Sequence, residues 1–325
     1  MLNEITSVKL RTPARLHFSL IDLNGELGRI DGGIGVAIDK PNWVISIKKN
    51  PTLEVPEDIS ELFETLQNKL ELTNNYKIEI GSSLLSHVGL GSQTQLSLAL
   101  AHGLSILEQQ ELSIPKLAEL VGRGGTSGIG VAAYQHGGFI LDGGHTCEDK
   151  PDFLPSHFSN SKPAVLIIRH NVPEDWYFIV AIPNTGKGKY GDAELEIFNK
   201  YCPISADHVE KLSRIILMKM LPAIVEDDIV QFGNGLNDIQ KLGFKSIENQ
   251  LQNDFVKDLQ QFFLDTGAFG TGLSSFGPAT FCLVRSEKSA KAIVKKTQKF
   301  FEKNGQTGEI FYTQANNEGV TVSTS

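Results

Sequence analysis

The chain has 325 residues, of which 40% are hydrophobic and 21% are charged, as in globular proteins with one large domain or two ordinary ones. A net charge of −8 argues against a nucleic-acid-binding protein, which normally presents a basic surface. No apolar run has the length of a membrane span and no secretory signal is expected, and three scattered cysteines are typical of a reducing cytoplasm.

Short strands and helices alternate through the first half of the chain. Alternating apolar and polar residues predict strands, over residues 6–20 around Pro13, 36–38, 44–47, 77–80 and 139–141. Apolar residues at helical spacing predict helices over 58–72 and 96–107. Pro115 marks the first turn of another helix, where its missing N–H costs little.

A change of composition near the middle of the chain indicates a domain boundary. Residues 149–163 are rich in Pro, Ser, Asp and Asn and show no periodic pattern, so we predict domains at 1–160 and 161–325. Beyond this segment, residues 165–168 and 176–182 predict a hairpin.

The second half contains more helix than strand. Its other predicted elements are, in chain order, helices 191–200, 206–226, 228–241 and 253–265, a strand pair around 274–284, helix 286–302 and strand 309–312. The polar end after Glu318 is expected to fray. Strands and helices mixed in this way predict an α+β protein with two layers of structure in each domain.

A glycine-rich segment stands directly before the apolar helix 96–107. Residues 89–95 read Gly-Leu-Gly-Ser-Gln-Thr-Gln. A helix start exposes unpaired backbone N–H groups and the positive end of the helix dipole, and glycines let the backbone approach an anion closely. The segment therefore predicts a phosphate or pyrophosphate site, although it is no Walker A loop. The alternative is a tightly packed helix start without a ligand.

Two further segments have the same character. Residues 126–130 read Thr-Ser-Gly-Ile-Gly, and residues 270–278 read Gly-Thr-Gly-Leu-Ser-Ser-Phe-Gly-Pro. In this order, the three segments resemble those of the GHMP small-molecule kinase superfamily. The resemblance implies a two-domain fold with mixed sheets and helices packed on one face of each. In those kinases the middle segment reads Ser-Gly-x-Asp and the Asp supports phosphoryl transfer, whereas this chain has Gly130 at that position.

The departures from the kinase pattern resemble one branch of the superfamily, the β-ribofuranosylaminobenzene 5′-phosphate synthases of archaeal methanopterin biosynthesis. The matching segments are residues 13–18, Arg29 with 32–35, 89–95, 123–130, 137–139 with 142–145, and 274–278. The resemblance implies that phosphoribosyl pyrophosphate is joined to 4-aminobenzoate or 4-hydroxybenzoate. Pyrophosphate and carbon dioxide leave, and a C-riboside forms. The choice between the two benzoates stays open.

Such a reaction needs cations for two anions, the benzoate carboxylate and phosphoribosyl pyrophosphate. Within the segments that carry the resemblance, Arg15, His17 and Arg29 are the predicted catalytic residues, because Arg binds carboxylate and phosphate oxygens with paired hydrogen bonds. Arg15 and His17 alternate with Leu16 and Phe18, so they are expected to share one face of a strand. The alternative is an ordinary solvated strand face.

The predicted substrate-binding residues come from the three glycine-rich segments and from Arg123. They are Gly89, Gly91, Ser92, Gln93, Thr94, Arg123, Ser127, Gly128, Ser274 and Ser275. Glu119 lies eleven residues before Gly130, the spacing of the magnesium-binding Glu in the kinases. The resemblance therefore implies that Ser92 and Glu119 hold Mg²⁺ through oxygen ligands. An exposed helical Glu is the alternative.

Two more groups of polar residues have several possible roles. Asp142 and His145, separated by two glycines, predict a metal half-site, an acid–base pair or a plain turn after a strand. Lys187 and Lys189 predict either a phosphate lid or a solvated loop. For the whole chain, an ATP-dependent GHMP kinase and a ligand-binding relative without catalysis are the competing hypotheses. A homodimer is the expected assembly, without nucleic-acid or membrane partners.

Overall fold

This computed structural model describes residues 5–186 and 188–325. Their strands pair antiparallel and form three sheets. The strands are β1 Ser7–Arg11, β2 Ala14–Asp22, β3 Arg29–Ile38, β4 Val44–Lys49, β5 Tyr76–Ser82, β6 Phe139–Asp142, β7 His145–Thr146, β8 Leu166–His170, β9 Trp176–Pro183, β10 Gly270–Leu273, β11 Thr280–Arg285, β12 Gly308–Gln314 and β13 Thr321–Thr324. The α+β prediction is confirmed.

Helices cover these sheets. They are α1 Ser60–Lys69, α2 Ser92–Leu107, α3 Ile114–Leu120, α4 Ile129–His136, α5 Asp192–Tyr201, α6 Ala206–Ile215, α7 Leu221–Val225, α8 Ile229–Ile239, α9 Gly243–Gln250, α10 Asp254–Asp265 and α11 Glu287–Lys303. A 3-10 turn, Glu57–Ile59, precedes α1, and a π-helical segment, Ile216–Met220, joins α6 to α7. Within the described ranges no helix has both the length and the apolar character to cross a membrane.

The sheet that carries the predicted site has the strand order β2-β3-β6-β8, with β7 paired to β3. Its glycines bring α4 close to the strands, because a Cβ added to Gly35 would lie 2.8 Å from Cγ2 of Ile129. A register shift between His17 and Ser19 interrupts the pairing of β2 with β3. β2 contacts α4, and His17 lies beside Ser127, just before that helix.

The second sheet closes the two ends of the chain onto each other. Its order is β13-β1-β4-β5, and Val322 of β13 pairs with Leu10 of β1. The prediction that the chain frays after Glu318 is therefore wrong. The hydrogen-bonding partner of this polar segment lies near the other end of the sequence, where no local pattern reveals it.

The third sheet, β10-β11-β9-β12, packs against α10 and α11. The predicted hairpin of 165–168 with 176–182 is wrong, because β8 pairs with β6 whereas β9 pairs with β11 and β12. The predicted domain division at residue 160 stays a prediction. β8 and β13 both lie beyond it and pair with β6 and β1, so two sheets contain strands from both sides of that division.

A shared aromatic core joins the sheets. The ring of Phe18 on β2 stacks on Phe281 of β11 with centroids 5.2 Å apart. Phe139 of β6 and Trp176 of β9 both contact Phe232 of α8. Burial of such large rings is the main stabilising contribution here, and it holds β2 rigidly against the C-terminal half.

Two helices were not predicted, and both reach the site. α4 begins inside a glycine-rich segment, and α9 lies between two predicted helices and carries charged residues, Lys245 and Glu248, that the fold buries. Helix α9 packs on β2. The sequence indicates each of these helices only by a few apolar residues at helical spacing, such as Phe244 and Ile247. This pattern is weaker than the apolar pattern of the longer helices.

Candidate active site

The glycine-rich segment 89–95 forms the start of α2, as predicted. Gly91 is the N-cap residue with φ of 77°, and the helix begins at Ser92. The first backbone N–H groups of a helix have no intrahelical acceptor, so this turn offers amide donors and the positive end of the helix dipole. Gly89 adopts φ of 92°, and a Cβ there would lie 2.2 Å from the carbonyl oxygen of Ser274. Only glycine fits this approach.

Arg15 lies against that loop. Its guanidinium group donates a hydrogen bond to the carbonyl of Gly89, and its backbone N–H donates to Leu90 at 3.1 Å. A Cβ added to Gly91 would lie 3.0 Å from Cγ of Arg15. Burial lowers the pKa of Arg15 to about 10, and the carboxylates of Glu248 and Glu194 act in the opposite direction. Arg15 therefore remains a cation at neutral pH beside the amide donors.

His17 is buried next to both remaining glycine-rich segments. Its Nε2 lies 3.1 Å from Oγ of Ser127, and its backbone N–H donates to Oγ of Ser274 at 2.9 Å. Burial, followed by the positive charges of Arg15 and Lys245, lowers the pKa of His17 well below its usual value. The ring is therefore neutral at pH 7, and it links β2 to the first turn of α4.

The segment around Gly130 contacts α2 directly. The side-chain amide of Gln95 donates to the carbonyl of Gly130 at 2.8 Å. A Cβ on Gly130 would lie 3.1 Å from Cγ2 of Thr94. Position 130, where the kinases carry their Asp, thus faces the first turn of α2. The space there suits glycine, and a carboxylate would have to displace Thr94.

Asp142 occupies the N-terminus of α4. It accepts hydrogen bonds from the backbone N–H groups of Gly128 at 2.9 Å and Gly144 at 3.0 Å. Burial raises the pKa of Asp142 to about 6, and these amides oppose that shift. The amide of Gly128 is therefore already used by the protein, so the predicted contact of Gly128 with substrate cannot involve its N–H in this geometry.

A buried ion cluster supports the same region. Asp31 lies between Nδ1 of His145 at 2.6 Å and Nζ of Lys150 at 2.9 Å. Lys150 also donates to Oγ1 of Thr126 at 3.0 Å. Asp142 and His145 both form hydrogen bonds within the protein, and the roles considered for them from the sequence stay predictions. Lys150 was not predicted, and its spacing in the sequence carried no signal.

Arg123 extends the site along α2. Its guanidinium group donates to Oε1 of Gln93 at 3.3 Å, and Gln93 contacts His87 through Nε2 at 3.2 Å. Burial lowers the pKa of Arg123. Lys189 follows in the loop before α5, and Gly188 of that loop donates its N–H to the carbonyl of His87 at 2.9 Å. Lys187 lies outside the described residues.

Buried side-chain polar atoms without a hydrogen-bond partner lie mostly near the start of α2. Among the described residues, the buried side-chain polar atoms without a hydrogen-bond partner are Nδ1 of His17, Oε1 of Gln95, Nε of Arg123 and Nε of Arg285. Three of these four belong to residues around segment 89–95, called the phosphate loop from here on after the ligand predicted for it. Buried polar groups in folded proteins are normally paired, so this concentration indicates a place organised for more than the internal structure.

The C-terminal glycine-rich segment completes the cluster. Oγ of Ser274 donates to the carbonyl of Gly89 at 2.6 Å, and the N–H of Ser275 donates to the carbonyl of His17 at 3.1 Å. Behind the turn, the buried Lys245 forms an ion pair with Glu248. Burial, followed by the charge of Glu248, raises the pKa of Glu194 to about 8. These three charged residues were not predicted.

Arg29 is not brought together with Arg15 and His17. It lies six positions from Gly35, the partner of His17 across the sheet, which is about 20 Å along a strand. Its guanidinium group is exposed and donates to the carbonyls of Gly143 and Gly144 at 3.0 and 3.1 Å. The catalytic role of Arg29 stays a prediction, and its position separates it from the phosphate loop.

The predicted metal ligands are each engaged elsewhere. Ser92 donates its hydroxyl to the carbonyl of Leu84 at 3.1 Å, and Glu119 pairs with Lys116 at 2.8 Å. Over residues 5–186 and 188–325, no group of three or more His, Cys, Asp or Glu residues has the arrangement of a metal site. Both residues have protein partners in this structure, and their role as Mg²⁺ ligands stays a prediction.

Comparison with known proteins agrees with this arrangement of segments. Two family models match, described as the GHMP kinases N terminal domain over residues 58–138 and the GHMP kinases C terminal over residues 220–303. The chain is 41% identical over 332 residues to the β-ribofuranosylphenol 5′-phosphate synthase of Methanocaldococcus jannaschii, covering 95% of this chain and 98% of that protein. This chain belongs to the β-ribofuranosylphenol 5′-phosphate synthase family.

Other relatives support the family and the fold. The synthase of the same name from Methanothermobacter thermautotrophicus is 42% identical over 286 residues, which cover 84% of this chain and 87% of that one. A Leishmania major mevalonate kinase solved with R-mevalonate superimposes with a TM-score of 0.69 at 16% identity, covering 97% and 98% of the two chains. That likeness concerns the fold alone. The predicted resemblance to the GHMP superfamily and its synthase branch is confirmed.

Replacement of Gly89 tests the phosphate loop of this synthase-family chain. In Gly89→Ala the new Cβ would meet the Ser274 carbonyl at 2.2 Å in a left-handed conformation, so the loop must move. We expect a loss of about 2–4 kcal/mol in unfolding free energy and at least about tenfold weaker pyrophosphate binding by calorimetry. Gly122→Ala is the control, because Gly122 also has positive φ but no described atom within 4 Å. Equal effects in both variants would contradict the steric argument.

Proposed function

We propose that the protein transfers the 5-phosphoribosyl group of phosphoribosyl pyrophosphate to the ring carbon of a 4-substituted benzoate. The bond from the anomeric carbon to pyrophosphate breaks, and pyrophosphate leaves with the electron pair. The ring carbon that bears the carboxylate attacks the anomeric carbon, and carbon dioxide then leaves its electron pair in the ring. The relatives are named for a phenol product, so 4-hydroxybenzoate is the first acceptor to test.

The observation that carries this proposal is the environment of position 130. A Cβ on Gly130 would meet Thr94, and the Gly130 carbonyl accepts a hydrogen bond from Gln95, so the start of α2 lies beside position 130 without the carboxylate that the kinases have there. Glycosyl transfer passes through an oxocarbenium-like state. No phosphoryl group moves to a hydroxyl in the proposed reaction, so the kinase carboxylate has no step to support. The reaction needs donors for the departing pyrophosphate, which the start of α2 and Arg15 supply.

Each neighbouring group takes a role from its chemistry. The amides of the first turn of α2 and the guanidinium group of Arg15 bind the pyrophosphate and stabilise the charge that develops on it. The neutral ring of His17 holds Ser127 beside the reacting groups. Arg123 is a second cation within reach of the same loop through Gln93. Together they orient the donor and reduce the access of water to the anomeric carbon.

Mg²⁺ enters this proposal as the counter-ion of phosphoribosyl pyrophosphate. The ion commonly keeps several waters and binds substrate phosphates with few protein ligands. The engaged side chains of Ser92 and Glu119 support a substrate-borne ion. No residue of the chain is assigned to hold it.

Assembly and location complete the proposal. We propose a homodimer, supported by exposed apolar side chains at Val165 and Ile167, at the start of β8, and at Leu217 and Met218 of the π-helical segment. Sedimentation equilibrium tests it, and a monomer at micromolar concentration would contradict it. We propose a cytoplasmic location, which the free thiols of all three cysteines support.

The test is release of labelled carbon dioxide from carboxyl-labelled benzoate in the presence of phosphoribosyl pyrophosphate and Mg²⁺. We expect release with 4-hydroxybenzoate or 4-aminobenzoate, in equal amount to pyrophosphate. Because a ligand that binds only the native state raises its apparent stability, phosphoribosyl pyrophosphate should also raise the melting temperature.

ATP with small alcohols is the matched control for the kinase hypothesis. A melting temperature raised by ATP but unchanged by phosphoribosyl pyrophosphate, with no carbon dioxide release, would contradict the synthase proposal. A melting temperature raised by phosphoribosyl pyrophosphate, with neither benzoate converted, would favour a binding protein without catalysis.

A further inference from the structure

A buried lysine stands directly behind the turn that completes the site. Nζ of Lys245, on α9, donates to the carbonyl of Leu273 at 3.3 Å and to the carbonyl of Ser275 at 3.2 Å. These carbonyls belong to the residues on either side of Ser274. The ammonium group therefore fixes the backbone of the turn at both sides of one serine.

That serine makes the contacts that join the C-terminal half to the phosphate loop. Its hydroxyl lies between the carbonyl of Gly89 and the backbone N–H of His17, at 2.6 and 2.9 Å. Ser275, held by Lys245 through its carbonyl, adopts φ of 52°, an uncommon conformation for a residue other than glycine. A shift of this turn would move the Gly89 loop and the backbone of β2 together.

The lysine cannot touch a substrate in this geometry, because its relative exposure is 0%. It forms an ion pair with Glu248, whose exposure is only 3%. Buried ion pairs contribute little net stability, since desolvation offsets their attraction, and apolar replacement is often neutral. The pair is therefore better explained by the geometry it imposes on the turn than by stability.

We propose that Lys245 is a positioning residue of this site. Its ammonium group holds the turn that carries Ser274 and thereby sets the phosphate loop for the departing pyrophosphate. The inference rests on the proposed phosphoribosyl transfer for its kinetic consequence, but the expected effect on pyrophosphate affinity stands without turnover.

The experiment is a double-mutant cycle in the full chain, with Lys245→Met, Ser274→Ala and the double variant. Calorimetry measures the affinity for pyrophosphate with Mg²⁺, and carbon dioxide release gives KM for each substrate. We expect each single variant to weaken pyrophosphate binding about tenfold, because misplacement by about 1 Å has large effects on a positioned group. The double variant should lose little more, since both changes release the same turn. KM for the benzoate should stay within about twofold of wild type.

A second variant separates positioning from folding. Lys245→Met with Glu248→Leu replaces the ion pair by apolar side chains, so its melting temperature should stay near that of wild type while the affinity loss persists. Lys219→Met is the control for removal of a paired lysine, because Lys219 pairs with Asp238 at 2.8 Å on α8 and both side chains are partly exposed. It should bind pyrophosphate like wild type.

The outcomes decide between the proposals. Independent losses that multiply to about a hundredfold in the double variant, or wild-type affinity in Lys245→Met, would overturn the assignment of Lys245. Recovery of both melting temperature and affinity in the apolar variant would make the pair structural only. A wild-type protein that binds pyrophosphate without releasing carbon dioxide overturns the transferase proposal alone, and one that binds no pyrophosphate overturns both.

Discussion

Arg15→Ala should reduce kcat/KM for phosphoribosyl pyrophosphate by about a hundredfold or more, with the folded state retained. The guanidinium group contacts Gly89 beside the start of α2 and stays charged at neutral pH, because its pKa of about 10 lies well above 7. Loss of one charged donor aimed at a developing anion costs about 2–4 kcal/mol in the transition state. Arg15→Lys should recover only part of this, because Lys lacks the planar fork.

Arg11→Ala is the matched control for this prediction. Arg11 lies on β1, the strand before β2 in the chain but in a different sheet, and pairs with Asp39 at 2.8 Å, with both side chains partly exposed. Exposed ion pairs contribute little, so turnover and circular dichroism should match wild type. Wild-type turnover in Arg15→Ala would remove this residue from the site, and an unfolded Arg15→Ala would make it structural.

Gly130→Asp should lower synthase activity by roughly a hundredfold without creating a kinase. The new Cβ would lie 3.1 Å from Cγ2 of Thr94, so the carboxylate would enter the first turn of α2. Two unit charges about 6 Å apart repel by about 3 kcal/mol at an effective dielectric constant of about 20. The added charge would oppose the pyrophosphate that this turn is proposed to bind.

Gly130→Asn separates charge from size. It has nearly the same shape as Asp but no charge, so most of the lost activity should return if repulsion is the cause. Equal losses in the Asn and Asp variants would assign the effect to displacement of Thr94. Unchanged turnover in both would show that position 130 lies away from the ligand.

Local sequence patterns were sufficient for much of the site. The phosphate loop could be predicted because its glycines directly precede a helix in the sequence. The structure places Gly89 and Gly91 just before α2 and Thr94 in its first turn, as predicted. Arg15 and His17 share the predicted strand; Arg15 contacts Gly89 of the loop, and His17 contacts Ser274, which in turn bonds to Gly89. Their chemistry follows from residue type and from spacings of a few positions, so folding did not need to be known.

Local sequence patterns did not predict the residues whose position depends on contacts between distant parts of the chain. Lys245 and Glu248 were not among the predicted residues, and the structure buries both on α9, which packs on β2. Arg29 lies close to Arg15 in sequence, yet an extended strand carries it away from the loop. The hairpin prediction was wrong for the same reason, because β8 pairs with β6 and β9 pairs with β12, both from other parts of the chain.

The sequence by itself determined the family, the order of the three glycine-rich segments and the missing carboxylate at position 130. These depend on residue identity, which the chain states directly. Only the tertiary structure decided that Ser274 joins the Gly89 loop to His17, that β13 returns to β1, and that a buried lysine holds the turn. Such contacts join residues far apart in the chain, and they form only when burial of the shared core brings those segments together.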